Sequence, residues 1–281
     1  MLTESSLTAG AEISAPLESE SALMNSDNSS LSEINGDSRP ENIERVRPLR
    51  PRYIMVKMTI DWLIALGLFF LLAPLMGFLL LLVRMTSPGP GLYKQTRLGR
   101  NGKPYKMYKI RSMSINAEAT TGAVWSGPND SRVTRIGRFL REAHLDELPQ
   151  LVNVLRLEMS LIGPRPERPE LVTEIQRRLP RYPERMEVRP GITGFAQIQH
   201  PADLDLDHVR RKLMYDLYYV REVGIWLDLR IIVGTFFYIV GSTLKALGKL
   251  LVKSHGAAAE REHEDLELLD EDPVQLRATG S

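Results

Sequence analysis

The stretch REAHLDELPQ, residues 141–150, sets two carboxylates side by side, Asp146 and Glu147, directly before Leu148 and Pro149. Adjacent carboxylates can divide work at a phosphate. One attacks phosphorus while the other holds a divalent cation, and Mg²⁺ takes one or two carboxylates plus substrate phosphates rather than a full protein cage. A carboxylate nucleophile giving an acyl-phosphate-type intermediate is established chemistry. The same residues also suit a helix start at Asp146, where Asp is a favoured cap and acids and Pro fit the first turn. The two readings are compatible, and the pair alone favours the cap.

The basic residues around the pair shift that balance. YKIRSM offers Lys109 and Arg111, which share one face if the segment is a strand. Arg141 stands five residues before Asp146. Arg165 lies between Pro164 and Pro166, with Arg168 nearby, and Arg189 precedes a Pro-Gly turn. Guanidinium forks match phosphate oxygens bidentately, and an arginine held between prolines loses less entropy on binding. Each alone reads better as a surface or ion-paired side chain. Four such sites beside an acidic pair suggest a diphosphate ligand. The chain has neither GxxxxGK[ST] nor GxGxxG, so nucleotide binding of those kinds has no support. Its five histidines lack metal-ligand spacing, and with no cysteine it has no disulfide.

These residues need a scaffold, and the charge distribution bounds its setting. The net charge of +1 over 281 residues is a cancellation. Residues 1–40 hold seven acids and one base, and residues 260–281 hold eight acids and two bases, which leaves the middle at +13. Such a region expects phosphates, anionic lipid headgroups or nucleic acid. Residues 1–45 are polar, acidic and poor in aromatics, so they read as a disordered tail and not as a signal peptide. Residues 254–281 read as an acidic tail.

Between Trp62 and Val83 lie 22 residues without a charge, long enough to span a bilayer. Pro74 sits near the middle, where it removes a helix hydrogen bond. Both flanks are basic, with Arg45, Arg47, Arg50, Arg52 and Lys57 before and Arg84, Lys94, Arg97 and Arg100 after. Basic flanks prefer the cytoplasmic side. A re-entrant hairpin broken at Pro74 keeps both there, whereas a straight span misplaces one; a buried core helix is the third reading. A second apolar stretch, Ile231 to Leu244, is followed by Lys245, Lys249 and Lys253 on one helical face. It suits an interfacial helix, or a core helix with a solvated lysine stripe.

Residues 87–253 then form one domain behind a basic flank and membrane helix at 46–86. LYKQTRLGRNGKPYKMYKI reads as a hairpin turning at Asn101-Gly102. Helices are expected from about Asp146, over PELVTEIQRRL up to Pro180, and over LDHVRRKLMYDLYYVREV, which carries Asp216. The expected class is α+β, lying against a membrane.

The order of these segments, from the proline-containing apolar helix through YKIRSM, REAHLDELPQ, IGPRPERPE, VRPGITGFAQI and YDLYYVREVGIWLDL, resembles the bacterial monotopic phosphoglycosyl transferases, the polyprenyl-phosphate sugar-1-phosphate transferases. The resemblance covers roughly residues 50–245. It implies transfer of a sugar 1-phosphate from a UDP-sugar to undecaprenyl phosphate, with release of UMP, at the cytoplasmic face of the bacterial inner membrane. It implies Asp146 as nucleophile, Glu147 as the Mg²⁺ ligand, and Lys109, Arg111, Arg141, Arg165 and Arg189 as phosphate contacts. Asp216 matches an acid that matters for function without an assigned role, and Pro74 matches the break of a re-entrant helix. Membrane lipids are then partners and nucleic acid is not; a homodimer stays open. His144 and Phe195 depart from the usual residues at their positions and bear on sugar or nucleotide preference. The alternative is a non-catalytic, basic, membrane-docked scaffold that binds lipid.

Overall fold

In a computed structural model of the chain, residues 46, 48–117, 130–199 and 206–240 are described. The expected tails at 1–45 and 254–281, and the lysines at 245, 249 and 253, lie outside these residues.

Helix α1 runs from Pro51 to Thr86. Pro51 suits a helix start because its missing N–H costs nothing there. The helix ends where Ser87 turns extended and its N–H closes on the Val83 carbonyl; the following Pro-Gly-Pro-Gly cannot continue it. One stripe of α1 is buried, through Lys57, Asp61, Ala65, Met76, Leu79 and Val83, with Leu68 and Leu72 partly buried between. The other side exposes Met55, Ile60, Leu63, Phe70, Leu71, Phe78 and Leu81. The hairpin expected from Pro74 appears as one uninterrupted helix. Pro74 removes a single N–H bond, to the Phe70 carbonyl, and its ring lies on the exposed side. The packed stripe before and after it keeps the turns on either side in place. Helix α1 is long and apolar enough to cross a membrane, and it packs on the domain along one stripe. Tyr53 Oη donates to Asp228 at 2.7 Å near one end, and the Ser87 carbonyl accepts from Arg111 at 2.9 Å at the other.

Strands β1 (Leu92–Leu98) and β2 (Pro104–Ile110) form the expected antiparallel hairpin, from Leu92 opposite Ile110 to Leu98 opposite Pro104. Asn101 and Gly102 take φ of 56° and 70°, the left-handed pair such a turn demands. Helix α2 (Arg135–Glu142) is capped by Thr134, whose Oγ1 accepts from Gly137 N–H. A 3₁₀ turn at Leu145–Glu147 leads to α3 (Gln150–Leu155). Strand β3 (Ser160–Ile162) pairs in parallel with β4 (Gly191–Thr193), a two-stranded sheet too short to read from periodicity. Between them lie α4 (Pro169–Arg178) and a 3₁₀ segment at Tyr182–Glu187. Helices α5 (Phe195–Gln199), α6 (Leu206–Glu222) and α7 (Ile225–Val240) follow. The class is mixed helix and strand.

The core is shared with α1. Ala65 packs with Tyr105, Met107, Leu151 and Val154, and Leu79 and Val83 pack with Ile110 and Leu140. A third cluster joins Phe195, Tyr215, Tyr219, Leu227 and Ile231. Phe195 therefore belongs to the core. Helix α7 buries Leu227 and Ile231 and exposes Ile225, Trp226, Leu229, Ile232, Val233 and Phe236 at three- and four-residue spacing. This apolar face begins at Ile225, earlier than the sequence suggests. Buried charges fasten α1 to α7 and β3. Lys57 Nζ lies 2.9 Å from Asp61 and 3.2 Å from Asp228. Asp61 also accepts from Ser160 Oγ, and Asp228 from the hydroxyls of Tyr53 and Tyr219.

Candidate active site

Three segments bring charge to one place. The end of β2 supplies Lys109, the 3₁₀ turn supplies Asp146 and Glu147, and the loop after β3 supplies Arg165. Lys109 Nζ donates to Glu147 Oε1 at 2.9 Å, and Arg165 Nη2 donates to the same oxygen at 2.8 Å. Arg165 Nη1 reaches Oε2 only at 3.5 Å. Burial alone would raise the Glu147 pKa, but Arg165 and Lys109 overcome it and hold the carboxyl well below the usual range. Glu147 in turn raises the Arg165 pKa, while burial pushes the Lys109 ammonium down.

Asp146 is different. It is 6 % exposed, and among the described residues its carboxylate has no hydrogen-bond or ion-pair partner. Burial pushes its pKa up, helped by the Glu147 charge, while Lys109, Arg165 and Arg141 pull against that. The result is an open carboxylate in a field of three cations.

The backbone explains how the pair is displayed. His144 takes φ 55° and ψ 19°, a left-handed step that ends α2 and starts the 3₁₀ turn. Neither acid caps a helix: α3 begins only at Gln150, after Pro149, with no side-chain cap. The helix start expected at Asp146 is thus corrected. Glu147 points instead to two cations, which are stronger partners than an exposed N–H.

Arg165 is held by its loop as tightly as by its prolines. The carbonyls of four successive residues each accept a hydrogen bond from another element. Pro164 accepts from Gly191 N–H at 3.0 Å, Arg165 from Arg185 Nη2 at 2.8 Å, Pro166 from Arg97 Nη1 at 3.0 Å, and Glu167 from Leu98 N–H at 3.0 Å. Only glycine fits where β3 and β4 meet: a Cβ on Gly191 would stand 2.1 Å from the Gly163 nitrogen.

The other expected site residues divide. Arg141 donates to Ser112 Oγ at 2.8 Å and its charge acts on Asp146, so it belongs to the cage. Arg111 does not. Strand β2 ends at Ile110, and past it the Arg111 Nη2 clasps the Ser87 carbonyl and hydroxyl at 2.9 and 2.7 Å, the exit of α1. Arg189 is also elsewhere: it donates to the Leu157 carbonyl and to Met58 Sδ, beside Arg100. Asp216 is 1 % exposed and pairs with Arg185 at 2.6 Å, away from the acid pair. Pro74 is the exposed mid-helix residue described above. His144 is exposed, with its ring 5.9 Å from that of Tyr238 on α7.

Sequence reasoning missed Arg185, Arg97, Glu167 and Lys212, which brace the Arg165 loop. Glu167 lies 2.7 Å from Lys212 and 3.4 Å from Arg97. Burial would raise its pKa, but Lys212 and Arg97 bring it down to about 2. The available signal was the placement of Glu167 within the same proline-fixed loop as Arg165.

Among the described residues no group of three or more His, Cys, Asp or Glu gathers as a metal cage. The donor set still fits an ion held mainly by substrate. Glu147 Oε2 has only its 3.5 Å contact, and Asp146 beside it is open. One or two carboxylates is what Mg²⁺ on a diphosphate requires.

Comparison with known proteins places the chain in a family. The bacterial sugar transferase family matches residues 52–242. A UDP-N-acetylgalactosamine-undecaprenyl-phosphate N-acetylgalactosaminephosphotransferase of Aeromonas hydrophila is 42% identical over 185 residues, covering 66% of this chain and 44% of that protein. A UDP-glucose:undecaprenyl-phosphate glucose-1-phosphate transferase of Xanthomonas campestris pv. campestris is 38% identical over 191 residues, covering 67% of this chain and 40% of the relative. The exopolysaccharide production protein PSS of Rhizobium leguminosarum bv. phaseoli is 40% identical over 188 residues, covering 65% of this chain and 94% of the relative. The chain thus spans less than half the length of the first two relatives and most of the third. With the match running from the start of α1 to the end of α7 and taking in every residue of the acid pair and its cage, the chain belongs to the bacterial sugar transferase family.

Proposed function

We propose that this chain transfers a hexose 1-phosphate from a UDP-sugar to undecaprenyl phosphate and releases UMP, as the first membrane step of exopolysaccharide, capsule or O-antigen-type assembly. The relatives named for such transfers support the substrates. The observation that carries the chemistry is Asp146, buried and unpartnered beside a Glu147 that two cations hold ionised.

An Asp146 oxygen attacks the β-phosphorus of the UDP-sugar. The bond from that phosphorus to the bridging oxygen breaks, and UMP leaves with the oxygen. An oxygen of undecaprenyl phosphate then attacks the same phosphorus and returns the Asp146 carboxylate. A covalent step lets the soluble and lipid substrates use one site in turn. Lys109, Arg165 and Arg141 meet the phosphate charge, and because their positions are fixed by the fold they need no reorganisation during reaction. Glu147, with Asp146 beside it, would hold a Mg²⁺ that neutralises and orients the diphosphate when bound.

The setting supports a lipid acceptor. A straight span would carry one end of α1 about 30 Å to the far side, yet the same domain packs on both ends. Both ends then stay on the cytoplasmic side, and α1 embeds its exposed apolar face from there as one unbroken helix. The exposed face of α7 lies at headgroup level. Cysteines placed before Lys57 and after Arg84 in this cysteine-free chain label from the same side; labelling from opposite sides overturns the topology.

The test of activity is the purified full chain in detergent with Mg²⁺, undecaprenyl phosphate and a panel of UDP-sugars. UMP is released with one or more sugars, and radiolabelled sugar phosphate is trapped on the wild-type protein but not on Asp146→Asn. Transfer by the folded variant at the wild-type rate removes Asp146 as nucleophile; release with no sugar favours the lipid-binding scaffold.

A further inference from the structure

Asp216 and Arg185 lie away from the acid pair, yet they touch the backbone that carries Arg165. Arg185 is 3 % exposed and Asp216 is 1 % exposed. Arg185 Nε and Nη2 lie 2.9 and 2.6 Å from Asp216 Oδ2. The same Nη2 donates to the Arg165 carbonyl at 2.8 Å, and Nη1 donates to the buried Tyr182 hydroxyl at 2.8 Å. A guanidinium has five donors in a fixed plane, so holding it by one carboxylate and one phenol also fixes where the second Nη2 hydrogen points. That donor meets the residue between Pro164 and Pro166, whose side chain clamps Glu147 at 2.8 Å.

The geometry points to Asp216 and Arg185 as positioning residues that set the Arg165 guanidinium over the acid pair, through a chain running Asp216, Arg185, the Arg165 carbonyl, the Arg165 side chain and Glu147. This rests on the proposed transfer only for its catalytic consequence; the positioning stands on contacts alone. Asp216, 1 % exposed, acts through Arg185. It neutralises a buried arginine, which would otherwise carry an uncompensated charge, and it chooses that arginine's orientation. An acid on α6 is thereby tied to chemistry on another element. The other groups facing Arg185, Tyr182 and Glu167, belong to the same brace.

Two measurements on the full chain decide this. The first needs no activity. Amide hydrogen exchange over residues 160–170 accelerates in Asp216→Asn and in Arg185→Lys, while exchange in the β1–β2 hairpin stays at the wild-type rate. The second is UMP release across a cycle with Arg165→Ala. Displacing a positioned group costs on the order of 100-fold in kcat, so Asp216→Asn lowers kcat by that order and shares the kcat and KM pattern of Arg165→Ala at smaller amplitude. In the Arg165→Ala background, Asp216→Asn adds less than about 3-fold, because the side chain being positioned is gone. A purely structural Asp216 costs the same fold in both backgrounds, and that result overturns the proposal, as does unchanged exchange over 160–170. Where Asp216→Asn does not fold, Arg185→Lys carries both arms: it keeps a buried cation opposite Asp216 and loses the planar fork that reaches two partners at once. A wild-type chain that releases no UMP sinks the transfer reading, and the exchange arm still decides the positioning.

Discussion

Two buried charge clusters in this molecule look alike by composition and differ in what they leave open. Between α1 and α7, Lys57 sits between Asp61 and Asp228; the Asp61 oxygen it meets also accepts from Ser160 Oγ and the Leu161 N–H, and the two Asp228 oxygens accept from Tyr53 and Tyr219. At the acid pair, Lys109 and Arg165 both spend themselves on Glu147, and Asp146 is left with no partner among the described residues. The first cluster has one cation for two acids and satisfies them with hydroxyls. The second has three cations around two acids and satisfies only one. Buried polar groups are ordinarily paired, and an unpaired one calls for an explanation. The closed cluster fastens a helix; under the proposed function the open one holds a carboxylate in place for a ligand that brings negative charge.

This contrast breaks most sharply at Asp146. Asp146→Asn keeps the size of the side chain and removes its nucleophilic oxygen, so transfer falls by at least about 1,000-fold, measured as UMP released per minute under saturating substrates. The matching change in the closed cluster has the opposite signature. Lys57→Met leaves Asp61 and Asp228 facing each other without their shared cation, all of them 8–9 % exposed. Breaking a buried pair from one side costs about 3–5 kcal/mol, seen as a lower melting temperature in detergent. Transfer per folded molecule is unchanged at a temperature below that melt. Loss of transfer without loss of stability in Lys57→Met would join the two clusters into one site.

How much of this was legible before the fold is itself split along the same line. The β1–β2 hairpin was readable because Asn101-Gly102 between alternating segments admits few other turns, and α6 because its apolar period holds over 17 residues. Lys109, Arg141 and Arg165 stood out because each lies in a short, distinctive stretch, and the fold brings all three toward the pair. Arg111 does not share a strand face with Lys109 because the alternation rule holds only inside a strand, and β2 stops one residue short of it. Arg189 lies apart from the pair, because a Pro-Gly turn fixes a backbone without saying which way a side chain leaves it. Pro74 was read as a break because proline is costly in isolation; the packed stripe on α1 is a tertiary fact that no local rule contains. The braces Arg185, Arg97, Glu167 and Lys212 were invisible for the same reason, since the contacts that tie them to the loop and to one another span 20 to 70 residues.

The brace around Glu167 gives the next effect in size. Its pKa of about 2 in the folded chain lies below the ordinary 4.5. A depressed carboxyl contributes stability that is full above the ordinary value and is lost as pH falls toward the folded one. The window is therefore pH 4.5 down to 2, and the contribution is about 3 kcal/mol by linkage. Melting temperature measured across that window falls with acid in the wild type. Glu167→Gln is less stable at neutral pH and loses this part of the slope; an identical slope in the variant would mean that Lys212 and Arg97 do not set it.

The smallest effect is the most telling, because it uses the same substitution as the largest. Burial raises the Asp146 pKa, so its ionised form is less favourable in the folded chain than in the unfolded one. A group with a raised acid pKa subtracts from stability above that pKa. Replacing it by a neutral amide of the same shape removes the subtraction. Asp146→Asn therefore melts at the wild-type temperature or slightly above at neutral pH, and the difference shrinks as pH is lowered and the wild-type carboxyl takes up its proton. A clear drop in melting temperature would show that Asp146 is held as the acids of the closed cluster are, by partners that need its charge. A site that gives up some stability to keep one carboxylate open is what the comparison requires, and no substitution at Lys57, Asp61 or Asp228 can reproduce a variant that is dead in transfer and undiminished in stability.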